Sequence, residues 1–304
     1  MKANLILTAA LAATLFAACG SDDTVQQPVD NTPVAARFTA GISATRSTND
    51  EWEAKDAIGI YMLEAGTKNV AEGAANRHHI TASSIGRFDP ADDAQTIYFP
   101  TKAGAKVDFV AYYPYATLTG DLCPVDLSDQ TDPAAIDLMR SDNVTGRDKS
   151  KPTVELDFHH RLSRIFVKVK AGDGFTTADL KGLSITLSNQ PYKADYNVLT
   201  DALTADATAN PATKTFTLVT AADGQTASAI LLPQDGAAGR VLTFVMADAS
   251  TTTHTYTLAP DKTFEACKVT EYTIRLSKSG IEVSNASIQP WGKQGEVEDD
   301  AEIE

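Results

Sequence analysis

Val107-Asp108-Phe109-Val110-Ala111-Tyr112-Tyr113, closed by Pro114 and Tyr115, is the stretch that decides the fold. Apolar, β-branched and aromatic residues recur in it at period two, the spacing of a strand rather than a helix. The same alternation returns in Ile165-Phe166-Val167-Lys168-Val169-Lys170, in Leu183-Ser184-Ile185-Thr186-Leu187, in Val241-Leu242-Thr243-Phe244-Val245-Met246 and in Tyr272-Thr273-Ile274-Arg275-Leu276. Turn-forming clusters separate these runs: Gly172-Asp173-Gly174, Ser188-Asn189-Gln190-Pro191, Ala222-Asp223-Gly224 and Pro233-Gln234-Asp235-Gly236. Helical periodicity is sustained nowhere. Residues 130–140 can form one short helix, with Asp132-Pro133 at its start. Many short strands spaced about ten residues apart predict an all-β chain built from β-sandwiches.

The first eighteen residues are of a different kind. Lys2 gives a positive start, residues 5–16 form an apolar run, and Ala17 and Ala18 precede Cys19. The run is shorter than the roughly 20 apolar residues a membrane-spanning helix needs, and its three-part order is that of an export signal. It resembles a bacterial lipoprotein signal, with Phe16 where leucine is usual, and the resemblance implies lipid on Cys19. Asp22 and Asp23 follow closely, and an acidic stretch there resembles a surface-export tag of some anaerobic Gram-negative bacteria.

Cleavage before Cys19 leaves 286 of the 304 residues (304 − 18), the length of two ordinary domains or one large one. The expected organisation is a signal peptide at 1–18, a linker at 19–33, a first sandwich at 34–152, a second at 153–291 and an acidic tail at 292–304. The long acidic stretch 120–151 reads as the loop that divides the strand groups. Lys2 is the one charged residue removed, so 25 basic and 40 acidic residues remain, a net charge of −15. That surface repels nucleic acid and disfavours adsorption to anionic lipid.

Signals of catalysis are missing. The chain has no His-Glu-x-x-His, Gly-x-Ser-x-Gly, phosphate loop or Cys-x-x-Cys, and no enzyme activity, metal or cofactor is expected. The pairs His78-His79 and His159-His160 place neighbouring rings on opposite faces of a strand, which prevents one pair from holding one ion. Asp126, Asp129, Asp132 and Asp137 match no calcium loop and read as solvated charges. Trp52 and Trp291 lie inside patterned apolar segments and read as core. Cys123 and Cys267 can pair or remain thiols; the spacing leaves both open.

Five motifs in order resemble the fimbrillin family, the type V pilins. They are Ala44-Thr45-Arg46 followed by Trp52-x-x-x-Asp56-x-Ile58-Gly59-Ile60-Tyr61-Met62; Phe109-x-Ala111-Tyr112-Tyr113-Pro114-Tyr115; Phe158-His159-x-x-Leu162-Ser163-Arg164-Ile165; Leu231-Leu232-Pro233-Gln234; and Ile281-x-Val283-x-x-Ala286-x-Ile288-x-x-Trp291. Lys55 and Cys267 stand where many relatives carry glycine. The resemblance implies two tandem transthyretin-like β-sandwich domains and no cofactor. It implies an outer-membrane surface lipoprotein, tethered by its lipid, that becomes a fimbrial subunit or fimbria-associated protein for adhesion and assembly. Its partners would be other fimbrial subunits, met by strand exchange. In the family an arginine-specific protease removes the first strand, here expected at 34–42, and Arg46 is the candidate cleavage site, with Arg37 shielded inside the strand. The acidic tail is a poor strand donor, which favours a tip or accessory role. The alternative is a surface glycan-binding lipoprotein for nutrient capture, which needs an exposed aromatic platform.

Lipidation is directly testable. Labelled palmitate should enter the wild-type chain in cells and be lost from Cys19→Ala; equal labelling of both would exclude a lipid on this residue.

Overall fold

The computed structural model describes residues 32–43, 51–247 and 252–291. In its first half it contains β1 (Arg37–Ile42), β2 (Ala57–Glu64), β3 (Arg77–Thr81), β4 (Arg87–Pro90), β5 (Val107–Tyr113), β6 (Leu122–Asp126), the one-turn helix α1 (Pro133–Ile136), β7 (Met139–Ser141), β8 (Val144–Arg147) and β9 (Thr153–His160). There follow β10 (Ser163–Ala171), β11 (Ser184–Gln190), β12 (Lys193–Asn197), β13 (Ala202–Ala205), β14 (Lys214–Thr217), β15 (Val219–Thr220), β16 (Thr226–Leu231), β17 (Val241–Val245), β18 (Thr253–Thr257), β19 (Lys268–Ser277) and β20 (Gly280–Pro290). The chain is all-β, as its period-two alternation predicts.

β5 is buried along its whole length. Val107, Phe109, Ala111 and Tyr113 point into one core, and Val110 and Tyr112 into a second. Its partner β2 divides in the same way, with Ile58, Ile60 and Met62 on one side and Tyr61 and Leu63 on the other. A strand with two buried faces has no solvent side, so its polar content is confined to what the backbone needs. Asp108 fits this rule: its carboxylate accepts from Gly66 N–H at 2.7 Å and from Gly146 N–H at 2.8 Å, tying a neighbouring turn and β8 to the strand.

The first sheet runs β2-β3-β4-β1-β9-β7-β5, and β5 pairs back onto β2, so the ladder closes on itself; β8 joins the far side of β5. The first core fills this ring. β9, which a boundary after residue 152 assigns to the second sandwich, is hydrogen-bonded here to β1 and β7. The stretch 120–151, expected as a loop, holds β6, α1, β7 and β8. Pro124 in β6 and the acidic residues around it hide that strand from a propensity reading, because proline is tolerated in a sheet only at an edge. Asp132 caps α1, as its position before Pro133 predicts.

In the second half a five-stranded sheet, β15-β16-β10-β19-β20, and a four-stranded sheet, β14-β11-β17-β18, share one core. Ile165, Val167, Ile274 and Leu276 come from the first of these, and Ile185, Leu187, Leu242 and Phe244 from the second. A smaller sheet, β13-β12-β6, joins a strand from before β9 to strands from after it. Gln130 makes the same link through its amide: its Nε2 donates to the carbonyl oxygens of Leu127 (2.8 Å) and Ile230 (3.0 Å), and its Oε1 accepts from Ile230 N–H (2.8 Å). At the junction Arg161 holds the Asp201 carboxylate through two bonds of 2.6 and 3.1 Å, and Tyr196 donates to the same carboxylate at 2.6 Å.

Three positions give the family-like motifs a physical basis. A Cβ on Gly59 would lie 2.3 Å from the Tyr112 ring, so glycine there lets the ring cross the backbone. Lys55 and Cys267 have left-handed φ values of 83° and 60°, a region that costs a side chain about 1–2 kcal/mol and glycine nothing. That is why glycine is expected at both.

Two substitutions test this in opposite directions. Gly59→Ala should lower stability by about 1–3 kcal/mol through overpacking. Lys55→Gly should raise it by up to about 1 kcal/mol. Denaturant melts measure both, and a stable Gly59→Ala protein would refute the close approach.

Candidate functional site: the seat of the first strand

Among the described residues the candidates singled out from the sequence disperse. Asp126, Asp129 and Asp132 each accept from a backbone N–H two or three residues on, and Asp137 bonds the His160 ring at 2.9 Å. His78 stacks on Tyr115 with centroids 3.9 Å apart, while His79 is buried. Trp52 and Trp291 are 4% and 6% exposed, so neither offers a sugar platform. Cys123 and Cys267 are free thiols, the first pushed up to about 11 by burial and the second bonded to the His160 carbonyl oxygen. Cys19 and Arg46 fall outside the described residues. One grouping escaped the sequence reading: His159 Nε2 lies 3.4 Å from Asp142 and 3.8 Å from Asp157, on the exposed face of β9. Parallel strand pairing across more than a hundred residues carries Ser43 to the same spot, where its hydroxyl donates to Asp157 at 2.9 Å.

The feature with functional geometry is β1. It sits inside the closed ladder, antiparallel to β4 with Phe38 opposite Phe88, and parallel to β9 from Arg37–Thr153 to Ile42–Phe158. Val34, Ala36, Phe38, Ala40 and Ile42 alternate into the first core, and Arg37, Thr39 and Gly41 face solvent. The Arg37 side chain is exposed, yet its N–H is held by the Pro152 carbonyl at 2.9 Å, so the adjoining backbone is locked in the ladder. Phe38 is the one large side chain fully inside; it meets Phe109 and His79 edge-on at 5.5 and 5.1 Å. At the far end Trp52 closes the core. Its indole N–H donates to the Ala40 carbonyl at 2.8 Å, and its ring packs edge-on against Phe88, Tyr113 and Phe158. Gly86 crosses here so closely that a Cβ would lie 2.1 Å from the Ala40 oxygen, while its own carbonyl accepts from Ala40 N–H at 2.7 Å.

The chain is thus an all-β protein whose ring of strands is completed by an N-terminal segment. Known proteins agree with this reading. A fimbrillin-like family model matches residues 45–291. A putative fimbrium subunit, Fim1C of Bacteroides uniformis, is 40% identical over 301 residues, covering 96% of each chain. The crystal structure of a putative cell adhesion protein from Bacteroides uniformis is 38% identical, with a TM-score of 0.75 over 87% of this chain and all of that one. The tip fimbrial protein Mfa3 of Porphyromonas gingivalis, at 10% identity and a TM-score of 0.51 over 84% of this chain, shares the fold. The chain belongs to the fimbrillin-like family, and it is a fimbrial subunit acting in adhesion at the cell surface.

His79 makes the seat sensitive to acid. Burial lowers its imidazole from the ordinary 6.5 to about 4; the Arg77 carbonyl and Asp89 oppose that shift, and the charges of His78 and Arg77 add to it. The folded protein therefore binds its proton later than the unfolded chain does. Stability from this group is complete above pH 6.5 and is lost as pH falls from 6.5 towards 4, by on the order of 3 kcal/mol. Melts of wild type and His79→Leu should diverge over that window, with the variant flatter; identical pH profiles would exclude His79 as the source.

Proposed function

We propose that the protein is a lipid-anchored fimbrial subunit that gives up its first strand and accepts one from a neighbour, in a tip or accessory position. The supporting observation is the seat of β1. Cleavage after Arg46 would release residues 19–46, 28 residues in all (46 − 19 + 1), which include the whole of β1 and the proposed lipid at Cys19. Its loss would leave β4 and β9 with unpaired N–H and C=O groups on either side of an apolar slot, the condition for strand addition. An extended segment with apolar residues at alternate positions meets both needs at once.

The tip or accessory position rests on β20. It pairs with β19 from Lys268–Pro290 to Ser277–Gly280, so the best donor sequence in the chain is engaged within its own sheet. Residues 292–304 are too acidic to enter an apolar slot without a large desolvation cost. We read the chain as two transthyretin-like halves meeting near Arg161, anchored to the outer membrane through the lipid.

Treatment of the purified mature chain with an arginine-specific protease should yield one cut after Arg46, abolished in Arg46→Ala, without long homopolymers. Detergent-resistant ladders of the cleaved chain alone would assign it to the stalk. An uncut chain would remove the processing step.

A further inference from the structure

The apolar stripe of β1 stops short of the space available to it. Ala36 N–H donates to the Ile97 carbonyl at 2.9 Å and Phe99 N–H to the Val34 carbonyl at 3.0 Å, so the leading end of the strand runs beside residues 97–99. Beyond Val34 those same residues border a surface cleft of about 520 Å³. Its floor is buried and apolar, formed by Met62, Ala74, Ile97 and Phe99, and Glu72 and Arg77 stand at its rim. From the segment 32–43 only Pro33 reaches its wall. The next position of the stripe, two residues before Val34, is Thr32, which is exposed and polar.

We propose that this cleft is an extra side-chain subsite of the acceptor groove, filled by a bulky aliphatic residue of the incoming strand at the position matching Thr32. The inference rests on the strand-exchange reading above and adds the partner's sequence requirement. A strand that replaces β1 carries one more apolar residue than β1 does, one alternation step, or about 7 Å, beyond Val34. Within residues 32–43 of the resident strand Pro33 alone borders the subsite, so over that span it is the weaker ligand for its own groove. Exchange then runs towards the neighbour's strand without any change in the groove itself. The rim carries one acid and one base, so it sets no net charge preference, and the selectivity comes from apolar volume.

The test uses the full mature chain cleaved after Arg46 and a labelled peptide copying residues 30–43, displaced by unlabelled competitors. Three competitors are compared: the native peptide, its Thr32→Leu form and its Thr39→Leu form. The last has the same added hydrophobicity on the solvent face. Burial of one more leucine predicts about a tenfold gain for Thr32→Leu and none for Thr39→Leu. Equal competition by native and Thr32→Leu peptides, with exchange otherwise intact, would overturn the subsite and leave strand exchange standing. An equal gain for both leucine peptides would overturn it as well. If no peptide exchanges with β1 at all, the strand-exchange reading fails and the subsite falls with it.

Discussion

The structure depends on one wall. β2 and β5 pair over six residues, and each strand presents apolar side chains to both of its faces. A two-stranded unit buried on both sides is impossible in an isolated sandwich; it requires a core on either hand. The two halves are therefore not beads on a string. On the wall's second face Tyr61, Leu63, Val110 and Tyr112 belong to one core with Cys123, Val125, Leu127 and Leu138 and with residues of the later strands, so that core spans both halves. The β6–β12 ladder and Gln130 reinforce the same junction with backbone and amide bonds. Burial also holds the phenols of this wall neutral: Tyr61 and Tyr112 are both driven far above their ordinary value, chiefly by loss of solvent.

Against that wall β1 is a marginal component. The strands around it bury rings and branched aliphatics at nearly every inward position, whereas β1 contributes Phe38 between two alanines. What holds it is geometry. It is bonded on both edges, and the sheet is closed, so its departure breaks two ladders and opens a ring. A closed ladder has no edge to offer another chain. Completeness of the ring thus withholds the edges of β4 and β9 from another chain, and removal of the segment would open both together.

Much of this is legible in the sequence because strand alternation is local. The run 107–113 coincides with β5, and Asp132-Pro133 marks the start of α1. Even the odd residues at 55 and 267 carry a signal, since their backbone angle is one that glycine adopts freely. What could not be read is pairing. Nothing near Thr153 says that β9 will lie parallel to β1, more than a hundred residues earlier, and that pairing and the one to β7 set β9 in the first sheet. The grouping of His159 with Asp142 and Asp157 is hidden for the same reason. The double burial of β5 is not visible either, because Val110 and Tyr112 read equally well as the occasional apolar residue on a solvent face. Residues 1–31 and 292–304, where the lipid site and the acidic tail fall, rest on the sequence alone.

The parallel register of β1 on β9 has a mechanical meaning. A pull on residue 32 from its N-terminal side acts along the strand axis. All six residue pairs between β1 and β9 are then loaded in shear together, unlike the teeth of a zipper, which separate in succession. With the chain held by the lipid proposed at Cys19, that joint would be strongest in the direction it is stressed. A nick after Arg46 would not by itself let go: the severed strand would stay seated, a splint held by hydrogen bonds and Phe38. Its escape rate, and not the cut, would then set how fast subunits become available.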